Sequence, residues 1–302
     1  MSKAKFFLIR PRTLFLIVLV AIVIKYFYDQ SQSLSHKSEP DRFTALENTM
    51  NNRLRAIPDG VKRRINLTDG RYDYSPHQAS YQVLMHVSEL FTGNAIANVS
   101  KDCTQWTEDF AVQLKPRSGE RSVLFDYEAY RVESLTGMDA EIRTKAITLF
   151  NGEQEIKEEK LNFKKQLKEL SLTSNGETLT LDPETKLNIE VANYVLAQIA
   201  QGNYELEYYS EPSDFTQYPI RNIVSIEAFS EDYQLDNMWL VKTTEYDHDG
   251  EEYTRSNSVL ELINDRATTL YAATLDEDGV LYELILSDFE YKPSRCRQLV
   301  II

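Results

Sequence analysis

The sequence predicts an α+β protein: a single N-terminal transmembrane helix followed by helices packed on curved antiparallel sheet, in an order open to two tandem helix-then-meander modules. Three observations carry this. An apolar run follows a basic N-terminus. Several stretches place apolar residues at helical spacing between an Asp, Ser or Pro and a Gly. Elsewhere the period falls to two, and Asn-Gly and Asp-Gly pairs separate the runs.

The first element is the apolar run. Lys3, Lys5, Arg10 and Arg12 precede it, and no acid occurs before Asp29. The fifteen residues from Leu14 to Tyr28 would span roughly 22 Å as a helix, short of the ~30 Å hydrocarbon core. Lys25 can lift its ammonium to the headgroups, and Tyr26, Phe27 and Tyr28 suit the interface. The basic residues predict a cytoplasmic N-terminus and an outer C-terminal domain in the inner cell membrane, periplasmic or extracellular. The rival is a cleaved signal peptide, for which Ser31-Gln32-Ser33 is a poor cleavage site. Residues 1–28 are thus the stub and anchor, and the Ser/Gln-rich residues 29–40 a linker.

A first module, 41–175, opens with a helix carrying Phe43, Leu46, Met50, Leu54 and Ile57 on one stripe, ended by Pro58-Asp59-Gly60. A second helix is expected from Ser75-Pro76 to Gly93, with Tyr81, Leu84, Met85 and Phe91 buried. Strands follow at Trp106–Lys115, Ser122–Ser134 and Ala140–Asn151. The charged stretch 153–170 reads as a surface helix through Ile156, Phe163, Leu167 and Leu170. Asn175-Gly176 turns a small hairpin. The second module, 176–302, has a helix from Asp182-Pro183 to Gly202 with Leu187, Val191, Tyr194, Val195 and Ile199 on one face. A meander of six strands then runs from Tyr204 to Phe289. Gly93-Asn94 and Gly202-Asn203 each follow an expected helix, which raises an internal duplication. The element order resembles, in outline only, the cystatin-like and NTF2-like folds.

The chain has 33 Lys and Arg against 47 Asp and Glu. Beyond residue 28 the balance is −19. So acidic a domain repels nucleic-acid phosphate, and nucleic acid is excluded as a partner. Basic proteins remain allowed. Cys103 and Cys296 are the only cysteines, and in an oxidising outer compartment an even pair points to a disulfide.

Motifs that carry chemistry are scarce. His77 and His86 fall on opposite faces of the expected helix, so no pair chelates locally and no metal or cofactor is expected. Asp247-His248-Asp249-Gly250 fails as a calcium loop, because Ser256 stands where a bidentate Glu is needed. No nucleophile elbow, phosphate loop or dinucleotide fingerprint occurs, so no catalytic residue is assigned and an enzymatic role stays open. Ten of eighteen tyrosines lie from residue 204 onward, which suits sheet pairing first and ligand contact second. One basic island, Arg53, Arg55, Lys62, Arg63 and Arg64, could offset a helix dipole or touch lipid or an acidic partner. The leading expectation is a membrane-anchored envelope protein with a non-catalytic binding or scaffold role and an envelope protein partner. The alternatives are a membrane-tethered hydrolase of wall or surface polymer, and a small-ligand or lipid-binding module.

Overall fold

The computed structural model describes residues 42–292 apart from 67–71, 73, 87–89, 103, 117–121, 135–136, 151–152, 167–168, 213–214 and 230–234. One antiparallel sheet of fourteen strands dominates. The strands are β1 (His77–His86), β2 (Leu90–Asp102), β3 (Gln105–Pro116), β4 (Ser122–Ser134), β5 (Gly137–Phe150), β6 (Glu153–Gln166) and β7 (Glu169–Ser174). After these come β8 (Glu177–Leu181), β9 (Glu205–Ser210), β10 (Ile220–Phe229), β11 (Met238–His248), β12 (Tyr253–Asn264), β13 (Thr269–Asp276) and β14 (Leu281–Tyr291). The helices are α1 (Arg42–Leu54), α2 (Asp59–Ile65) and α3 (Asn188–Ala200). Spatial order runs from β8 down to β1, then from β14 down to β9, so β1 and β14 join the two meanders.

The sheet rolls up. Lys186, just after β8, makes a parallel bridge to Ser210 of β9, although β8 and β9 stand at opposite ends of the order. Lys186 N donates to Tyr209 O at 2.8 Å, and Glu211 N to Lys186 O at 3.0 Å. Between these ends lies α3, whose Glu190 takes the Lys165 ammonium of β6 at 2.9 Å. On its other side Tyr194 packs edge-on against Tyr208 of β9. Cross-strand partners share a face, so the register traces an inner face around the roll. Val83, Ala95, Val112, Ile142, Leu161, Leu172, Val224, Val241, Val259, Ala272 and Leu284 are all buried on it. Their period of two is the inward half of the pleat.

The expected α+β layering is therefore corrected: the molecule is mostly one antiparallel sheet, with few helical residues. The helix expected over 75–93 is β1 and the start of β2. A helical period fitted it because β1 is apolar on both faces: Tyr81, Val83 and Met85 point inward, while Leu84, beside Glu283 outside, is buried too. Strands covered on both sides lose the alternation that marks a strand. Gly93 is no helix stop. It lies in β2, where an added Cβ would stand 1.9 Å from Gln113 O of β3. The surface helix over 153–170 is β6 and β7. Its helical spacing joined Ile156, which is exposed on the outer face, to Phe163 and Leu170 on the inner one. The last helix begins at Asn188, later than Asp182-Pro183, because 182–187 is used to reach β9. The duplication loses its basis, since Gly93-Asn94 lies inside a strand.

Other elements stand closer to the pattern. The first helix buries Leu46, Met50 and Leu54, but it ends at Leu54, and Asp59-Gly60, expected to stop it, opens α2 instead. Asn175 and Gly176 both take positive φ, 50° and 84°, as an Asn-Gly hairpin turn requires. The module boundary at 175/176 falls in this turn, inside the continuous sheet.

The transmembrane helix and the membrane localisation drawn from it are also corrected. None of the described helices is long and apolar enough to cross a membrane. Residues 14–28, on which that reading rested, lie outside the described residues, as does the linker. Cys103 and Cys296 lie outside them as well, and no disulfide occurs among the described residues.

Candidate functional site

The two faces of the roll offer different surfaces. Outside β12–β14, α1 and α2 cover the sheet. Glu283 of β14 is fully buried there, and Arg53 of α1 forks onto it with Nε at 2.8 Å and Nη2 at 2.9 Å. His86 Nε2 lies 2.9 Å from Glu283 Oε2, and Tyr271 Oη donates to Oε1 at 3.1 Å. The carboxylate raises the Arg53 pKa through its hydrogen bond, and burial followed by Glu283 raises that of Tyr271.

The basic island thus meets the sheet. Arg64 pairs with Asp288 of β14, and Arg63 Nε donates to Asp59 O at 3.4 Å. Lys62 is buried, and Arg55 is exposed. The island was legible as a charge cluster. That Arg53 and Arg64 would be engaged by Glu283 and Asp288 was not, because those acids lie more than two hundred residues away in sequence.

Outside β3–β6 nothing described covers the sheet, and a trough of about 680 Å³ lies there. Two cross-strand rows form its floor. One is Asp109, Glu128, Arg143 and Lys160; the next is Ala111, Asp126, Lys145 and Glu158. Side chains sit here because outward positions of long strands alternate with the buried ones. The bases are tied down. Glu141 takes Arg143 Nη2 at 2.5 Å and Lys160 at 2.7 Å, and Lys145 meets Glu158 at 2.5 Å. Hydrogen bonds from Lys160 first, then Arg143, hold the Glu141 carboxyl below its usual range. Asp109, Asp126 and Glu128 make no hydrogen bond or ion pair among the described residues. Burial, then the charge of Glu128 opposite, pushes the Asp109 pKa up.

The rim of the trough is a strand edge. β7 pairs with β6 only over Asn162–Gln166, so residues 153–161 have no strand on that side among the described residues. Ser174 Oγ donates to Lys160 O at 3.2 Å, which shows that this carbonyl points toward the edge.

A cavity of about 30 Å³ lies between His77, Tyr81, Glu108, Phe110, Thr269 and Leu284, room for a water or two. Tyr74 stacks on Trp106 at 5.5 Å above it, and Asn193 Oδ1 of α3 accepts from Tyr74 N at 3.3 Å. The histidines stand apart: His77 in this core, His86 on Glu283, and His248 stacked on Tyr218 at 4.2 Å. Among the described residues no three His, Cys, Asp or Glu are grouped to hold a metal.

This rolled sheet has a counterpart of known structure. The chain is similar to a β-barrel-like protein of the domain of unknown function DUF1849 from Brucella abortus, with a TM-score of 0.59 and 15% identity. The match covers 74% of this chain and all of that one. At this identity the likeness shows the fold alone. No protein-family model matches the chain, and no curated protein matches it. The barrel-like roll explains why the cystatin-like and NTF2-like outlines fail: the strands continue around α3 instead of stopping beside it.

Proposed function

We propose that this is a non-catalytic binding protein that docks a basic, extended segment of a protein partner in the trough outside β3–β6. The observation that carries this is the trio Asp109, Asp126 and Glu128, which line a concave surface without ion pairs among the described residues while the neighbouring bases are neutralised internally. A cationic segment supplies the missing counter-charge and gains most on-rate from it. The open edge of β6 supports an extended partner, which can add as a strand and use the unpaired backbone groups.

Photo-crosslinking from Ala111→p-benzoylphenylalanine at native expression, followed by mass spectrometry, tests the reading. A recurrent partner peptide rich in Lys or Arg is expected, with its yield falling at least fivefold in Asp126→Lys/Glu128→Lys. Crosslinks only to acidic or apolar peptides, or a yield indifferent to the charge reversal, would overturn it.

A further inference from the structure

A second place, separate from the trough, combines an unpaired carboxylate with uncovered aromatic rings. Glu261 of β12 is 6% exposed and lies on the inner face. Its Oε1 has no hydrogen-bond partner, and no ion pair reaches it among the described residues. Its neighbours by register are Val241 and Ala272, which offer it nothing polar. Buried carboxylates are normally paired, because an isolated charge in a low-dielectric setting is strongly disfavoured.

One diagonal step away stands Trp239, since Val241 pairs with Glu261 and Trp239 with Ile263. Such diagonal positions are within reach of long side chains. Tyr204 stacks on Trp239 at 5.8 Å and 19°, and Tyr72 leans on it at 6.4 Å and 56°. Tyr72 is 40% and Tyr204 43% exposed. Elsewhere in the molecule lysine or arginine covers aromatic faces, as Lys101 and Arg131 do on Trp106. No such contact is made on this trio among the described residues. The Trp239 indole Nε1 is buried and lacks an acceptor as well.

We propose that Glu261 and the rings of Tyr72, Trp239 and Tyr204 form a binding site for a small primary alkylammonium ion. The ammonium donates to Glu261 and its charge faces the rings, while the alkyl chain lies along them. A neutral alcohol of the same shape can donate one uncharged hydrogen bond to Glu261, but it brings no positive charge to the carboxylate or to the rings.

The probes are n-butylammonium and its neutral counterpart 1-butanol, titrated into the full chain and followed by tryptophan fluorescence and calorimetry. The expected result is binding of the amine at least tenfold tighter than the alcohol. That preference should collapse in Glu261→Gln, and amine affinity should fall several-fold in Tyr204→Leu, whose exposed ring can be lost without unfolding the sheet. Cooperative melting within a few degrees of the native chain, or above it for Glu261→Gln, confirms that the variants are folded. Equal affinity for the two probes, an amine preference that survives Glu261→Gln, or no binding of the amine at millimolar concentration each overturns the proposal. In the last case the unsatisfied atoms are hydrated by internal water only.

Discussion

Replacing Arg53 with Ala tests the argument that α1 is clamped to the sheet by one buried carboxylate. Glu283 is 0% exposed, and Arg53 is 33% exposed. Stripping one partner from a fully buried ion pair costs ~3–5 kcal/mol, because the remaining charge has nothing to offset its desolvation. Two features reduce that figure here. A third of the arginine side chain already meets solvent, and Glu283 keeps His86 and Tyr271 as partners. The expected loss is therefore about 2–3 kcal/mol. In a domain of this size that is a fall in melting temperature of roughly 4–12 °C. Urea unfolding followed by circular dichroism reads the free energy, and a thermal scan reads the shift. The decisive arm is Arg53→Ala in a Glu283→Gln background, where no buried charge is left behind and the loss should shrink to about 1 kcal/mol. A loss below about 0.5 kcal/mol in the single variant would refute the clamp, as would equal losses in both backgrounds.

Asp276 carries a pH signature, because burial first, then the nearby Asp278, raises its pKa to about 7. A folded-state pKa above the unfolded one means its contribution is fully present below the unfolded value and is lost as pH rises through about 7. Asp276→Asn should therefore be stabilised relative to the native chain by a few kcal/mol at pH ~8 and by almost nothing at pH ~4; a difference that does not change with pH would sink the assignment. Gly93→Ala should destabilise by more than ~3 kcal/mol or abolish folding, since its Cβ would meet the Gln113 carbonyl and Leu114 Cδ2 at 1.9 and 2.8 Å. Gly176→Ala, with open space but φ of 84°, should cost only about 1 kcal/mol. Comparable midpoints for the two alanine variants in urea would contradict this.

What the sequence disclosed follows burial on one face or two. Strands with one face in solvent, such as β4 and β5, alternate cleanly, and their boundaries were legible to within three residues. The meander from β9 to β14 was legible through its turns, where Gly250 and Gly279 take φ of 106° and 79°. β1 was misread because Leu84 interrupts the alternation from the outer side. β6 was misread for the opposite reason: Lys157, Glu159 and Lys165 occupy inward positions while Ile156 faces outward, so no alternation remained to be seen. The closing contact between Lys186 and Ser210 left no local trace, since a parallel bridge depends on curvature accumulated over the whole sheet. Of the candidate site residues, the Arg53–Arg64 island was visible as charge. The acids of the trough were invisible as a group, because Asp109, Asp126 and Glu128 meet only through strand register.

The uneven covering of the sheet also fixes where a partner can act. On β13, on most of β12 and on the first half of β14 the residues are buried, because the core lies on one side and α1 and α2 on the other. On the outer side, α1 and α2 leave no room for a protein partner, and the buried carboxylate of Glu283 serves the fold. From β2 to β6 the outer face is left to solvent, and the long strands carry Ile96, Tyr130 and Ile156 exposed among their charges. An uncovered sheet ending in an unpaired strand invites uncontrolled association unless its edge is charged. Glu158 and Lys160 on β6 meet that requirement, and they do so beside the trough. A single row of residues thus opposes promiscuous strand addition and selects one kind of strand, because the acids of β3 and β4 admit a basic segment and repel copies of this acidic chain.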